Sequence, residues 1–97
     1  MGRYVLSRRA EDDLAGIAVY TIENFGVAQA RIYRDLLVRS CELLAENPRM
    51  GRDYGRVVVG IRRHDTRGHA IFYRIEAHGI LIVRILGRDQ DPVRHLP

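Results

Sequence analysis

The side chains able to do chemistry in this 97-residue sequence fall mostly in its second half. Arg62, Arg63, Arg74, Arg84 and Arg88 could hold phosphate oxygens, since a guanidinium pairs with phosphate or carboxylate through two N–H donors at once. His64, His69, His95 and Tyr73 are the acid–base candidates. Such a set could cleave a phosphodiester without a metal, given a base for the attacking hydroxyl, an acid for the leaving oxygen and cations for the charge. The histidines are scattered, without the i, i+4 or close strand spacing of a metal site. A single cysteine, Cys41, forms neither an internal disulfide nor a cysteine cluster. No metal and no cofactor is therefore expected. Glu11, Asp12 and Asp13 point in different directions around a helix and read as a charged first turn, not a catalytic pair. His69, at a strand start beside a turn, is expected to cap or pack, with His64 and His78 in solvent.

The chain carries a net charge of +4 with a pI near 9.8, and all 16 of its basic residues are arginine. Codon bias in a GC-rich genome accounts for most of the missing lysine. The surplus suits an acidic protein partner as well as a nucleic acid. Apolar residues make up 46% of the sequence, enough for a globular fold, and residues 1–97 are expected to form one domain. No apolar run approaches the roughly 20 residues of a membrane span, and no charged-then-apolar leader is visible. A cytoplasmic protein is expected.

These residues must be positioned by a mixed α+β arrangement. Tyr4, Val5 and Leu6 predict a short strand, and Ser7 a helix cap. Ala10, Leu14, Ile17, Thr21 and Phe25 share one face of a first helix over about residues 8–24, stopped by Gly26. A second helix over 27–46 places Tyr33, Leu36, Leu37, Ser40, Leu43 and Leu44 on one face, and Pro48 ends it. The two should pack as an antiparallel hairpin. Residues 49–55 read as a loop, and a strand is predicted from Val57 through Arg63. Glycine-bearing turns at 66–68 and 77–79 then give a three-stranded antiparallel meander. Ile71, Tyr73 and Ile75 should face one way, with Phe72, Arg74 and Glu76 the other. Ile80, Ile82, Arg84 and Leu86 should alternate with Leu81, Val83 and Ile85. Asp91 followed by Pro92 predicts one terminal helical turn. The order is β-α-α-β-β-β. The hairpin should cover one face of the sheet, leaving the other partly open and lined by arginines, a binding surface more than a catalytic pocket.

Several segments recur together in one family. They are Tyr4-Val5-Leu6-Ser7-Arg8-Arg9-Ala10-Glu11-Asp12-Asp13-Leu14, Asn24-Phe25-Gly26, Leu44-Ala45-Glu46-Asn47-Pro48-Arg49-Met50-Gly51, Gly60-Ile61-Arg62-Arg63, His69-Ala70-Ile71-Phe72-Tyr73-Arg74-Ile75 and Val83-Arg84-Ile85-Leu86. In this order the chain resembles the ParE branch of the RelE/ParE toxin superfamily of bacterial type II toxin–antitoxin systems. The resemblance implies a toxin held in a hetero-oligomer by a ParD-like antitoxin, with DNA gyrase as the target, stalled on cleaved DNA. The alternatives are a RelE-like endonuclease that cuts mRNA on the ribosome, and a remnant that binds its antitoxin without toxicity. Arg62, Arg63, His69, Tyr73, Arg74, Arg84, Arg88 and Asp91 are the expected antitoxin- or target-binding residues. ParE-like chains usually carry Leu-His before the tail, and here Leu86 is followed by Gly87. RelE-like nucleases carry a basic residue where this chain has Ala70. No catalytic residue is assigned.

Overall fold

Ser7 is the hinge between the first strand and the first helix. Its Oγ accepts the Ala10 N–H at 3.0 Å and donates to the Val83 carbonyl at 2.7 Å, so one hydroxyl caps the helix and ties it to the far end of the chain. The computed structural model describes residues 2–97. Along the chain run β1 (Tyr4–Leu6), α1 (Arg8–Phe25), α2 (Val27–Glu46), β2 (Arg52–Asp53), β3 (Arg62–Asp65), β4 (His69–Glu76), β5 (Gly79–Gly87) and α3 (Pro92–His95). Gly26 alone joins the two long helices, its N–H bonded to Ile22 O at 3.0 Å, and they form the expected hairpin. The sheet order is β1-β5-β4-β3-β2, with β1 parallel to β5 and the remaining pairs antiparallel.

The hairpin packs on one sheet face around Ala10, Leu37, Cys41, Leu44, Ile71, Tyr73, Ile82 and Ile85. Here α2 departs from its expected phase. Its buried residues are Ala30, Leu37, Cys41, Leu44 and Ala45. Leu36 is 51% exposed beside Leu37 at 1%. Three small side chains in that stripe let the helix approach closely, and close approach outweighs the larger apolar area on the neighbouring flank. Burial also pushes the Cys41 thiol up to about 11, leaving it protonated and unreactive at neutral pH. Tyr73 is buried with its hydroxyl satisfied: it donates to Pro48 O at 2.6 Å and accepts the Gly51 N–H at 2.9 Å. A Cβ on Gly51 would stand 2.5 Å from that hydroxyl, so only glycine fits there.

The opposite face is not open. Ile61, Phe72, Val83, Leu86 and Leu96 form a second core, with Tyr54, Val58 and Leu81 packed against it. Residues 54–61 and the chain's own tail therefore cover the face on which exposed arginines were expected. The segment 57–59 is a turn, not the predicted strand, and β2 is a two-residue strand within the expected loop. The alternation expected along β5 is broken by a β-bulge. Phe72 lies opposite Arg84 while Tyr73 lies opposite Ile82, which leaves Val83 without a partner. The extra residue moves Ile85 to the helix-covered core and Leu86 to the other, with the flip of alternation a bulge imposes.

Leu37→Ala is expected to lower stability by about 2–5 kcal/mol, and Leu36→Ala by about 1 kcal/mol or less. Thermal or denaturant melts of the two variants check the helix phase directly.

Candidate functional site: a groove beside the helical hairpin

Strand β1 covers β5 only from Ile80 to Ile82, and α1 takes over along the edge beyond. Asp13 Oδ2 accepts the Ile85 N–H at 2.9 Å, standing where a strand carbonyl would stand. The same carboxylate takes Arg84 Nε and Nη2, each at 2.8 Å, and both side chains are almost fully buried. Hydrogen bonding to Asp13 raises the Arg84 pKa above its usual value. Arg84 Nη1 then donates to His95 O at 3.0 Å and fastens the tail. In the tail, Asp91 caps α3 by accepting the Val93 N–H at 3.0 Å.

Next to this pair lies a groove of about 680 Å³ between α1, the start of α2 and the near end of β4 and β5. Ile17, Tyr20, Phe25, Tyr33 and Ile85 give it an apolar lining, and Asp12, Gln29, Arg67, His69 and Gln90 contribute polar groups. Tyr20 and Phe25 are 63% and 65% exposed, although Phe25 was expected on the core face. Gly16 also lines the groove, and a Cβ built there meets nothing within 4 Å. A glycine inside a helix costs about 1 kcal/mol relative to alanine. Nothing within the chain requires it here. At the groove's inner wall the Tyr33 hydroxyl bonds His69 Nδ1. Burial pushes the His69 pKa down against the opposing pull of Asp13. The packing expected of His69 is what the structure shows.

A second cavity of about 380 Å³ meets the first at His69 and is walled by Arg63, Asp65, Phe72, Gly87 and Arg88. The predicted site residues thus divide. His69, Arg63 and Arg88 come together around this cavity, while Arg62, Tyr73, Arg74, Arg84 and Asp91 lie elsewhere. Arg62 and Arg63 point to opposite faces, as expected from alternation. Arg62 braces the 49–51 loop through Gly51 O at 2.9 Å and Arg49 O at 3.2 Å. Arg63 pairs with Asp65 at 2.8 Å and stacks over Tyr54 and Phe72. Arg88 donates to Arg67 O at 3.0 Å. Tyr73 and Arg84, expected to bind a partner, are both buried, at 0% and 9% exposure. At Gly87 a Cβ would make ordinary contact with Gln90 Oε1 at 3.7 Å and His69 Nε2 at 3.8 Å. Sequence reasoning missed the groove; the mid-helix Gly16 and the aromatic beside Gly26 were its signals.

Asp13→Asn should lower stability by about 3–5 kcal/mol, because it leaves a buried guanidinium without its counter-charge. It should also speed amide exchange over residues 88–97, whereas Asp12→Asn should leave both unchanged. For His69, the folded-state pKa lies below the ordinary 6.5, so the native state takes up its proton later than the unfolded chain. Stability is then fully present above about pH 6.5 and declines as pH falls below it. His69→Gln should flatten that limb in melts between pH 7 and 5.

The comparisons with known proteins agree with this architecture. A family model for the ParE toxin of type II toxin-antitoxin system, parDE, matches residues 4–92. Toxin ParE1 of Caulobacter vibrioides is 36% identical over 96 residues, covering 99% of each chain. Toxin ParE1 of Mycobacterium tuberculosis is 35% identical over 95 residues, covering 97% of each. Among solved structures, one titled chromosomal ParDE TA system from P. aeruginosa superimposes with a TM-score of 0.77 at 23% identity, over 90% of this chain and 96% of that one. With a family match over nearly its whole length and relatives above 30% identity, this chain belongs to the ParE toxins of type II toxin–antitoxin systems.

Proposed function

We propose that the chain poisons DNA gyrase in the cytoplasm and is silenced by a ParD-like antitoxin in a hetero-oligomer, with an antitoxin segment lying in the groove beside α1. The observation that carries the antitoxin half is the groove itself. It exposes two aromatic side chains and a helix glycine, an arrangement with no use inside the folded chain and one that suits an apolar anchor from a partner. Asp12 and Arg67 line the same groove, and neither has an ion-pair partner among the described residues. They offer charges of opposite sign to orient the incoming segment. Exposed Arg88, with Arg63 and His69 at the adjoining cavity, extends the contact. No helix of the described residues is long and apolar enough to cross a membrane.

Gyrase as target rests on the family. A ribonuclease reading has two of its four acid–base candidates engaged elsewhere: Tyr73 is committed to the 48–51 loop, and His69 to Tyr33.

Purified chain should convert supercoiled plasmid to linear, gyrase-bound DNA in the presence of gyrase and ATP, and a ParD-like antitoxin should prevent it. Tyr20→Ala or Phe25→Ala should weaken antitoxin binding on the order of tenfold to thirtyfold in calorimetry. Cuts in mRNA on programmed ribosomes, with gyrase untouched, would transfer the case to the endonuclease. Undisturbed growth on expression without antitoxin would indicate the non-toxic remnant.

A further inference from the structure

The run Val57-Val58-Val59 has a strand's composition and folds as a tight turn between β2 and β3. Its valines are divided in use. Val58 is the anchor, packed with Tyr54 against the second core. Val57 and Val59 are exposed, Val59 to 86%. The turn is clamped: Tyr54 O accepts the Val57 and Val58 N–H groups at 3.0 and 3.1 Å, and the Tyr54 N–H donates to Ile61 O at 2.9 Å. Gly60 closes it at φ 81, a left-handed conformation that a valine would strain to adopt. An isolated exposed valine is ordinary. Two of them on a tip already fixed in one conformation make a knob that gives up little entropy on insertion.

Positive charge stands beside the knob. Arg56 lies in the turn itself, and Arg74 Nε lies 4.0 Å from where a Gly60 Cβ would stand. Neither has a carboxylate partner among the described residues. The carboxylate nearby in sequence, Asp53, accepts the Gly55 N–H at 2.7 Å. Two guanidiniums beside an apolar tip call for an acidic rim around an apolar socket. A phosphate backbone would answer the arginines and leave the valines without a contact, so a protein fits better than a nucleic acid.

We infer that this turn is the surface by which the toxin grips its target, a protein bearing a small apolar socket with an acidic rim. The inference rests on the toxin reading and deepens it. None of these residues lines the groove assigned to the antitoxin, so holding the target and being held by the antitoxin are functions of separate surfaces.

The test compares the wild-type chain with Val59→Asp and with the pair Arg56→Ala, Arg74→Ala, each expressed without antitoxin and each titrated with it after purification. Growth arrest should be lost in both variants, or require at least about tenfold more toxin, while antitoxin affinity and melting temperature stay at wild-type values. The milder pair Val57→Ala, Val59→Ala should weaken arrest in the same direction and guards against misfolding of the aspartate variant. Wild-type arrest in both variants would overturn the inference. So would a parallel loss of antitoxin binding, which would assign the turn to the antitoxin. Arrest lost only in the arginine variant points to a nucleic acid and also overturns it, as does a wild-type chain that arrests nothing. Gyrase cleavage run alongside keeps the two proposals apart: arrest that depends on the turn while gyrase is untouched sinks the gyrase reading alone.

Discussion

One carboxylate holds this fold together. Asp13 accepts three N–H donors, two from Arg84 and one from the Ile85 backbone, at a point where the sheet would otherwise end in open hydrogen-bonding groups. The need for it follows from unequal strands: β1 has three residues, whereas β5 has nine. Buried backbone groups past Ile82 must find partners, and Ser7 and Asp13 bring them from α1. The negative charge this places on the edge demands a positive one, and Arg84 supplies it. The positive charge in turn has a donor to spare, and the tail's His95 carbonyl takes it. Helix, strand and tail are thus coupled through a single ion pair whose members tolerate burial only because they are paired.

The arginines therefore divide between internal struts and outward-facing groups, a distinction that net charge conceals. Arg84 supports the sheet edge, Arg62 the 49–51 loop, and Arg63 lies over two aromatic rings of the second core. In each case the planar guanidinium meets several acceptors or a ring face at once, which an ammonium group would not do. Arg56, Arg67, Arg74 and Arg88 are among those with no carboxylate partner among the described residues. The apolar groups divide in the same way: Tyr20 and Phe25 are held out at one side of the hairpin, Val57 and Val59 at the far end of the sheet.

Much of the architecture was legible in the sequence. Local rules placed Ser7, Gly26, Pro48, Asp91 and Pro92 as boundaries, and each serves as one. The strands β4 and β5 and their turn follow from alternation and glycine. Three features were not legible, each for a tertiary reason. The phase of α2 depends on how closely it approaches the sheet, which favours Ala30, Cys41 and Ala45 over Leu36. The bulge at Val83 depends on its partner strand. The closing of the second face depends on Leu96, one apolar residue in a polar tail, finding Phe72 and Leu86. The candidate site was harder still. An open sheet face lined by arginines was expected, and the groove instead arises where two helices and two strand ends meet, a juxtaposition no local pattern encodes.

The parallel pairing of β1 with β5 has a consequence for biosynthesis. Strand β1 pairs with β5 and no other strand, so the sheet cannot close until β5 has emerged from the ribosome. A prematurely terminated product lacks β5 and with it both cores, and is a substrate for proteases, not a partial poison.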